Sequence, residues 1–499
     1  MTSEVQEFYK EKNILITGGT GFVGKVSIEK LLRTTEVKHI YTLIRSKKGQ
    51  NVTERLSLWK KDTVFKQLLE EKPNALERVI AISGDCQLPD LGLSETDRKL
   101  LVDKVNIVIH GAATVRFNEP LHVALAINTR ATRVVVQLAK QMSRLEAFVY
   151  VSTAYSNCVS SNIEERFYPE HLTSSVDEVL KLSEQLSDEF LDNLAPTLLG
   201  KYPNTYTYTK ALAEQVVLRE ASDLPVCIVR PGMIIAANKE PASGWIDNLY
   251  GPISLIYGIS YGVVRCTVLN LKAQAAVVPV DHTVNAILAS AWQTAITHPN
   301  NSAPTVYNFT PSDNNLLLFK DFVNMAFSHG FNYPLTKMIW YPMLQTTTFP
   351  WLFNLMAFFY HTLPGYIMDV GLRLQNRKPR LMKIYRKLHE NMTLFEYFAT
   401  KAWTFETDNT KRLWKCMTAK DQQLFNFDME HLDWNDYFHR ALLGMRQYLC
   451  NEPPTAKSIA LGLKALKRFH LLHRLVQFAI CCLTINILWL FAHHIIEVI

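Results

Sequence analysis

The sequence predicts an α/β fold: a doubly wound parallel sheet, then a mainly helical domain, then a C-terminal membrane anchor. Three observations predict it. Short β-branched runs alternate with helical stretches from Asn13 to about Phe309. A glycine-rich turn stands directly after the first run. The chain closes on an uncharged stretch of bilayer-compatible length. With 499 residues, 48% hydrophobic and 20% charged, the chain is neither disordered nor collagen-like, and it can bury an enzyme-sized core. A net charge of +7, from 53 Lys+Arg against 46 Asp+Glu, is too weak for a nucleic-acid binder, so no nucleic-acid partner is expected. The 8 cysteines lie apart except Cys481 and Cys482 and form no C-x-x-C. That spacing excludes a disulfide framework and gives no reason to expect a metal site.

The candidate strands are Asn13–Thr17, His39–Ile44, Val79–Ser83, Val105–His110, Ala147–Ser152 and Val226–Arg230. Near-continuous apolar runs at this pitch suit parallel strands covered by helices on both faces. The first strand runs into Gly18-Gly19-Thr20-Gly21-Phe22-Val23-Gly24, then into a helical stretch from Lys25 to Leu32. This is a G-x-x-G-x-x-G turn at a strand-to-helix junction, the arrangement of a Rossmann-type sheet. Gly18 permits the turn, Gly21 lets a pyrophosphate approach the backbone, and Gly24 lets the helix pack closely. The second strand ends at Arg45-Ser46-Lys47-Lys48, with three cations and no carboxylate. A ribose 2′-phosphate fits there better than free ribose hydroxyls, so the expected cofactor is NADPH.

The chemistry is expected from Tyr206-Thr207-Tyr208-Thr209-Lys210. Pro203 and Asn204 mark a helix start, which puts Tyr206 and Lys210 one turn apart on the same face. A nearby ammonium favours phenolate, and a phenol so tuned can donate a proton to a carbonyl oxygen that is receiving hydride. The fifth strand ends Ser152-Thr153, at the carboxyl edge where such sheets bind ligands. A hydroxyl there can hold the same oxygen. Thr153 is the first choice and Ser152 the second; Tyr208, two residues from Tyr206, is expected to point elsewhere.

With these residues in place, the chain resembles an extended short-chain dehydrogenase/reductase. The segments TGGTGFVGK, HGAATVRFNEPL, YVSTAYSNC, PNTYTYTKALAE, VRPGMI and VPVDHTVNA are similar to those of the fatty acyl-CoA reductase family. The resemblance implies that Gly18, Thr20, Gly21, Phe22, Val23 and Gly24 line the dinucleotide turn. It implies that Asp85 meets adenine, that Gly111 and Ala112 border ribose and nicotinamide, and that Pro231, Gly232 and Met233 close over the nicotinamide. It also implies a long-chain fatty acyl-CoA substrate reduced in two steps, through an aldehyde, to a primary alcohol. Thr153, Tyr206 and Lys210 alone support only a carbonyl reduction. The alternatives are a membrane-anchored hydroxysteroid-type dehydrogenase and a non-catalytic nucleotide-binding scaffold on a membrane.

After Phe309 the alternation stops. Phe349–Tyr360 is almost wholly apolar, as either a core helix or a greasy cap or membrane-facing surface around an acyl tunnel, and Ile253–Val264 is a further candidate for that tunnel. A basic run follows from Arg373 to Lys387, suited to a solvated helix face, anionic lipid or coenzyme A phosphates. The aromatic–acidic block beyond it resembles the sterile-type domain that accompanies fatty acyl-CoA reductases. The expected division is a polar tail at 1–12, the reductase domain at 13–310, the sterile-type domain at 311–450, a basic linker at 451–474 and a transmembrane anchor at 475–496. Leu475–Phe491 carries no charge and, as a helix, would be about 26 Å long. Lys464, Lys467, Arg468 and Arg474 before it place the body in the cytosol. Membrane lipid is therefore an expected partner, at the endoplasmic reticulum or, alternatively, the peroxisome. Oligomeric state is not legible.

Overall fold

The computed structural model describes residues 2–47, 49–297 and 303–498. Lys48, counted among the cations after the second strand, lies outside them. The chain forms two compact units. The first comprises Met1–Asn248, Lys272–Phe319 and Tyr397–Tyr437; the second comprises Leu249–Leu271, Lys320–Glu396 and Phe438–Ile499.

The first unit is built on a parallel sheet of seven strands: β1 (Asn13–Thr17), β2 (His39–Ile44), β3 (Val79–Ser83), β4 (Ile107–His110), β5 (Ala147–Val151), β6 (Val226–Pro231) and β7 (Thr305–Phe309). Their spatial order is β7-β6-β5-β4-β1-β2-β3. The six expected strands are all present, their ends within two residues of expectation. The seventh, Thr-Val-Tyr-Asn-Phe, carries two polar residues among three apolar ones and escaped notice. Its Asn308 is wholly buried, with its amide nitrogen donating to the Ile163 and Glu406 carbonyls. Strands β1 and β5 are buried along their whole length, as a sheet covered on both faces requires. The order reverses between β1 and β4, and that switch point is where open sheets of this kind hold ligands.

The segment expected as a polar tail is instead a docked helix, Glu4–Tyr9. Val5 and Tyr9, one turn apart, are fully buried, and the Tyr9 hydroxyl donates to the Leu288 carbonyl at 2.9 Å. The buried Asp421 accepts from the Ser3 hydroxyl and from the Val5 amide. Two apolar residues spaced at i, i+4 were the available signal.

The second unit contains helices Pro252–Ser260, Pro350–Ala357 and Leu363–Leu374, and a short parallel pair, Cys266–Val268 with Gln345–Thr347. Ile259, Val264, Cys266, Val268, Phe353, Ala357 and Met392 form its core cluster. Ile253, Ile256 and Ile259 of the Ile253–Val264 stretch are buried. From Ala456 to Val498 the chain is one continuous helix, so residues 456–474, expected as a linker, are helical. Ala, Leu and Lys dominate there and no proline interrupts them. The apolar part is exposed apart from the half-buried Cys482, and the stretch Ala456–Ile496 is long and apolar enough to cross a membrane.

Candidate active site

The glycine turn lies at the switch point. Gly18 has φ +78°, and a Cβ on it would sit 2.9 Å from the Ala112 backbone nitrogen. A Cβ on Gly24 would meet the Gly18 carbonyl oxygen at 2.3 Å. Side chains are thus excluded where the turn, the following helix and the end of β4 meet. The helix Phe22–Thr34 begins here without a side-chain cap, so its first amides face the open side of the turn. Gly21 and Gly111 are exposed on that side, and Thr20, Phe22, Val23 and Ala112 are half-buried. Uncapped amides, a helix N-terminus and an absence of side chains suit a pyrophosphate. The turn is braced from behind: Phe22 stacks on Trp245 at 5.4 Å, and Lys25 bridges Asp62 at 2.6 Å and Asp247 at 2.7 Å.

At the end of β2, Arg45 stands half exposed with a guanidinium nitrogen 3.7 Å from Asp85. The two residues expected at the adenosine end therefore meet. A guanidinium fits a 2′-phosphate, and Asp85 holds it in place while diluting its charge. On the other side of the switch point, the Ala154 amide donates to the Pro231 carbonyl at 2.9 Å. The Met233 amide donates to Ala276 at 2.7 Å, and Met233 is half-buried. Gly232 is buried behind this strand crossing.

The helix Thr205–Glu220 carries the tyrosine and lysine. Asn204 caps it, its side-chain oxygen accepting from the Thr207 amide at 2.9 Å. Tyr206 stacks on Phe117 at 5.7 Å. The Thr153 hydroxyl lies beside the phenol and favours its ionised form, so the expected pair is brought together. Burial pushes the phenol up to about 12, and Thr153 only partly opposes that. Tyr208 points away into the core, edge-on to Tyr202 at 5.6 Å.

Lys210 is placed otherwise than expected. Its Nζ donates to the Val151 carbonyl at 2.7 Å and to the Tyr150 hydroxyl at 3.2 Å, and Tyr206 is not among its bonded partners. Burial pulls the ammonium down to about 7, against the opposing charge of Glu214. The sequence reading had the phenol lowered by this ammonium. In the structure the phenol is raised, because desolvation dominates and the lysine charge is spent on the end of β5.

Glu214, one turn beyond Lys210, was missed. It is fully buried and accepts from Ser152 at 2.6 Å, Ser156 at 2.7 Å, Asn157 at 3.0 Å and the Arg230 guanidinium at 2.6 Å. Burial alone would raise this carboxyl; the Arg230 charge and these bonds hold it below the usual range. A charge inside the otherwise apolar run Val226–Arg230, with a glutamate in a buried helix, was the legible signal. His110, also missed, is wholly buried between Thr17 at 2.6 Å and Thr132 at 3.0 Å. A one-turn π-helix, Leu125–Arg130, carries Asn128, whose side chain joins the Thr114 amide to the Thr209 hydroxyl, each at 2.9 Å. It ties the segment after β4 to the helix Thr205–Glu220.

Two family models, both described as male sterility protein, match this chain. The NAD-binding one covers residues 16–287, including the glycine turn, Thr153, Tyr206 and Lys210; the sterile one covers residues 360–452. The chain is 43% identical to the fatty acyl-CoA reductase wat of Drosophila melanogaster, over 94% of this chain and 90% of the fly protein. It is 39% identical to fatty acyl-CoA reductase 1 of Xenopus laevis, over 90% of this chain and 86% of the frog protein. It is 37% identical to fatty acyl-CoA reductase 2 of Bos taurus, over 96% and 92%. Among solved structures, the fold matches the reductase domain of a nonribosomal peptide synthetase from Mycobacterium tuberculosis, with a TM-score of 0.57 and 19% identity over 88% of this chain and 92% of that one. It matches the terminal reductase domain of the myxalamid pathway similarly, with a TM-score of 0.56 and 19% identity over 88% and 91%.

Proposed function

This chain belongs to the fatty acyl-CoA reductase family, and from that premise we propose that it reduces long-chain fatty acyl-CoA to a primary fatty alcohol with NADPH, releasing coenzyme A by way of a bound aldehyde. The observation that carries this reading is the Thr153–Tyr206 hydroxyl pair at the carboxyl end of β5, in the same unit as the uncapped glycine turn.

When bound, reduced NADP supplies hydride to the carbonyl carbon. The residues do the rest. Thr153 donates a hydrogen bond to the carbonyl oxygen as charge develops on it, and Tyr206 gives that oxygen its proton. Collapse of the resulting hemithioacetal breaks the carbon–sulfur bond, and the thiol of coenzyme A leaves with a proton. The aldehyde carbon then takes hydride from a second bound NADPH while Tyr206, reprotonated, gives the oxygen its proton, so two NADPH are consumed per alcohol. Lys210 in its cationic form holds the ribose from its seat on the Val151 carbonyl and the Tyr150 hydroxyl. A phenol at about 12 stays protonated until the oxyanion forms, which suits a donor. The residue set from Gly18 to Gly24, with Gly111 and Ala112, holds the pyrophosphate, ribose and nicotinamide. Pro231, Gly232 and Met233 cover the nicotinamide. Arg45 takes the 2′-phosphate, and Asp85 meets adenine and positions Arg45.

The reductase activity is assigned to residues 13–310, accompanied by the sterile-type region 311–450. The terminal helix anchors the protein to the endoplasmic reticulum, or alternatively the peroxisome, with its catalytic body in the cytosol. Purified full-length protein given acyl-CoA and NADPH should yield fatty alcohol and free thiol, with two NADPH oxidised per alcohol. Aldehyde as sole product would remove the second step. Sterol oxidation with NAD and indifference to acyl-CoA would replace this reading by a hydroxysteroid dehydrogenase.

A further inference from the structure

Helices Pro350–Ala357 and Leu363–Leu374 are joined through a π-helical turn, Phe358–Thr362, into one helical run. Every fourth residue from Phe353 is buried: Phe353, Ala357, His361, Gly365 and Asp369. The opposite stripe is Trp351, Leu355, Phe359, Leu363 and Ile367, and each of these is exposed, Trp351 by 67% and Ile367 by 61%. A helix apolar on both faces is normally buried on both. An ordinary surface helix would carry charge along the second stripe; this one carries none.

The flank of this stripe is strongly basic. Seven Lys and Arg residues stand between Arg373 and Lys387, and all are exposed. Asp369 is the one acid between Phe349 and Leu388. It is buried and spent on the backbone amides of Arg380, Leu381 and Met382.

The stripe is also linked to the base of the terminal helix. Trp340 packs against Phe469 and His473 of that helix at 6.2 and 6.3 Å. Arg265, itself buried, lies 5.6 Å over the Trp340 ring, and the same guanidinium donates to the Tyr360 carbonyl at 3.0 Å. A single side chain thus fixes the striped run beside the aromatic residue that seats the helix, all within the second unit.

We infer that the exposed Trp351–Ile367 stripe is a second membrane contact, which beds into the interface of an anionic phospholipid bilayer while the basic flank from Arg373 to Lys387 meets its headgroups. Large exposed apolar faces rimmed by cations suit this environment, with tryptophan and tyrosine at the level of the headgroups. Trp351 and Tyr366 stand on the exposed side of the run as such residues would. The protein then holds its membrane at two places, a spanning helix and a flat apolar face, and the second unit is fixed in orientation rather than tethered at one point.

The inference rests on the anchored reading above, and the test separates the two. Full-length protein is reconstituted into phosphatidylcholine vesicles with a diazirine on one acyl chain, with or without about 25 mol % phosphatidylserine. After irradiation, lipid adducts are mapped by mass spectrometry. Adducts are expected on residues 349–374 as well as 475–496, with those on 349–374 several-fold richer when phosphatidylserine is present. A Trp351→Ser, Phe359→Ser, Ile367→Ser variant should lose about tenfold of the 349–374 adducts while keeping those on 475–496. These side chains are exposed, so circular dichroism and melting should match the parent. Adducts confined to 475–496 would overturn the second contact and leave the anchor standing; adducts in neither segment would overturn both. Amine cross-links joining Lys378, Lys383 or Lys387 of two copies, with no lipid adduct on 349–374, would assign the stripe to self-association instead.

Discussion

Glu214 and Arg230 form an ion pair with both side chains out of reach of water, 2.6 Å from Oε2 to Nη2, and the same carboxylate takes the Ser152 hydroxyl at 2.6 Å. That bond decides between two adjacent hydroxyls. Ser152 is committed to the ion pair, and Thr153 is the hydroxyl left beside Tyr206. Glu214→Gln leaves Arg230 as an uncompensated buried cation and should cost about 3–5 kcal/mol of stability, and Arg230→Met a similar amount. The double variant Glu214→Gln/Arg230→Met should lose much less than the sum. Denaturant titration of the three variants checks this; strictly additive losses would mean the pair is uncoupled.

Tyr206→Phe removes the proposed proton donor without removing the ring that stacks on Phe117. It should lower kcat by about 10²–10⁴ with little change in cofactor affinity. Thr153→Ala should cost about 10²–10³, and Thr153→Ser should recover most of that. Steady-state rates on acyl-CoA and on the free aldehyde decide it. Near-full activity in Tyr206→Phe would remove its role.

Arg45→Asp places a second carboxylate beside Asp85, where the 2′-phosphate is proposed to bind. Here kcat/KM with NADPH should fall by about 10- to 100-fold, while the value with NADH holds or rises. A parent enzyme that prefers NADH would already contradict the assignment.

Lys210 is pulled down to about 7, so it is cationic below that pH and neutral above it. If the cation is the working form, kcat/KM should decline on the alkaline side from near pH 7, about tenfold per unit. Lys210→Arg should lower the overall rate but carry that decline well upward, since a guanidinium stays charged. A pH–rate profile that is unchanged in Lys210→Arg would show that the limb belongs to another group.

His110 is pulled down from 6.5 to about 3, chiefly by burial and then by the charge of Lys210. Between those values the unfolded chain binds a proton that the folded chain refuses. Its contribution is therefore complete above pH 6.5 and is lost as pH falls toward 3. His110→Gln should lower stability at pH 7.5, yet show a flatter decline between pH 6.5 and 5, measured as denaturation midpoints.

The sequence by itself determined the sheet, its glycine turn and the side chains proposed to react. Strand runs buried on both faces must be apolar end to end, and a turn where a Cβ would strike Ala112 must be glycine, so both leave marks that a string of letters retains. Thr153, Tyr206 and Lys210 were legible because strand-end placement and helical spacing are local. What only the tertiary structure decided is how these groups are partnered. Lys210 turns to Val151 and Tyr150, Ser152 is taken by Glu214, and Ser3 and Val5 dock on Asp421, more than four hundred positions away. Such pairings join residues far apart in the chain, and desolvation, which sets the Tyr206 and Lys210 ionisation, depends on everything packed around a group. The exposed Trp351–Ile367 stripe belongs here too. Its apolar pattern is written in the sequence, but which of two apolar faces stays uncovered is settled only when the rest of the chain has packed.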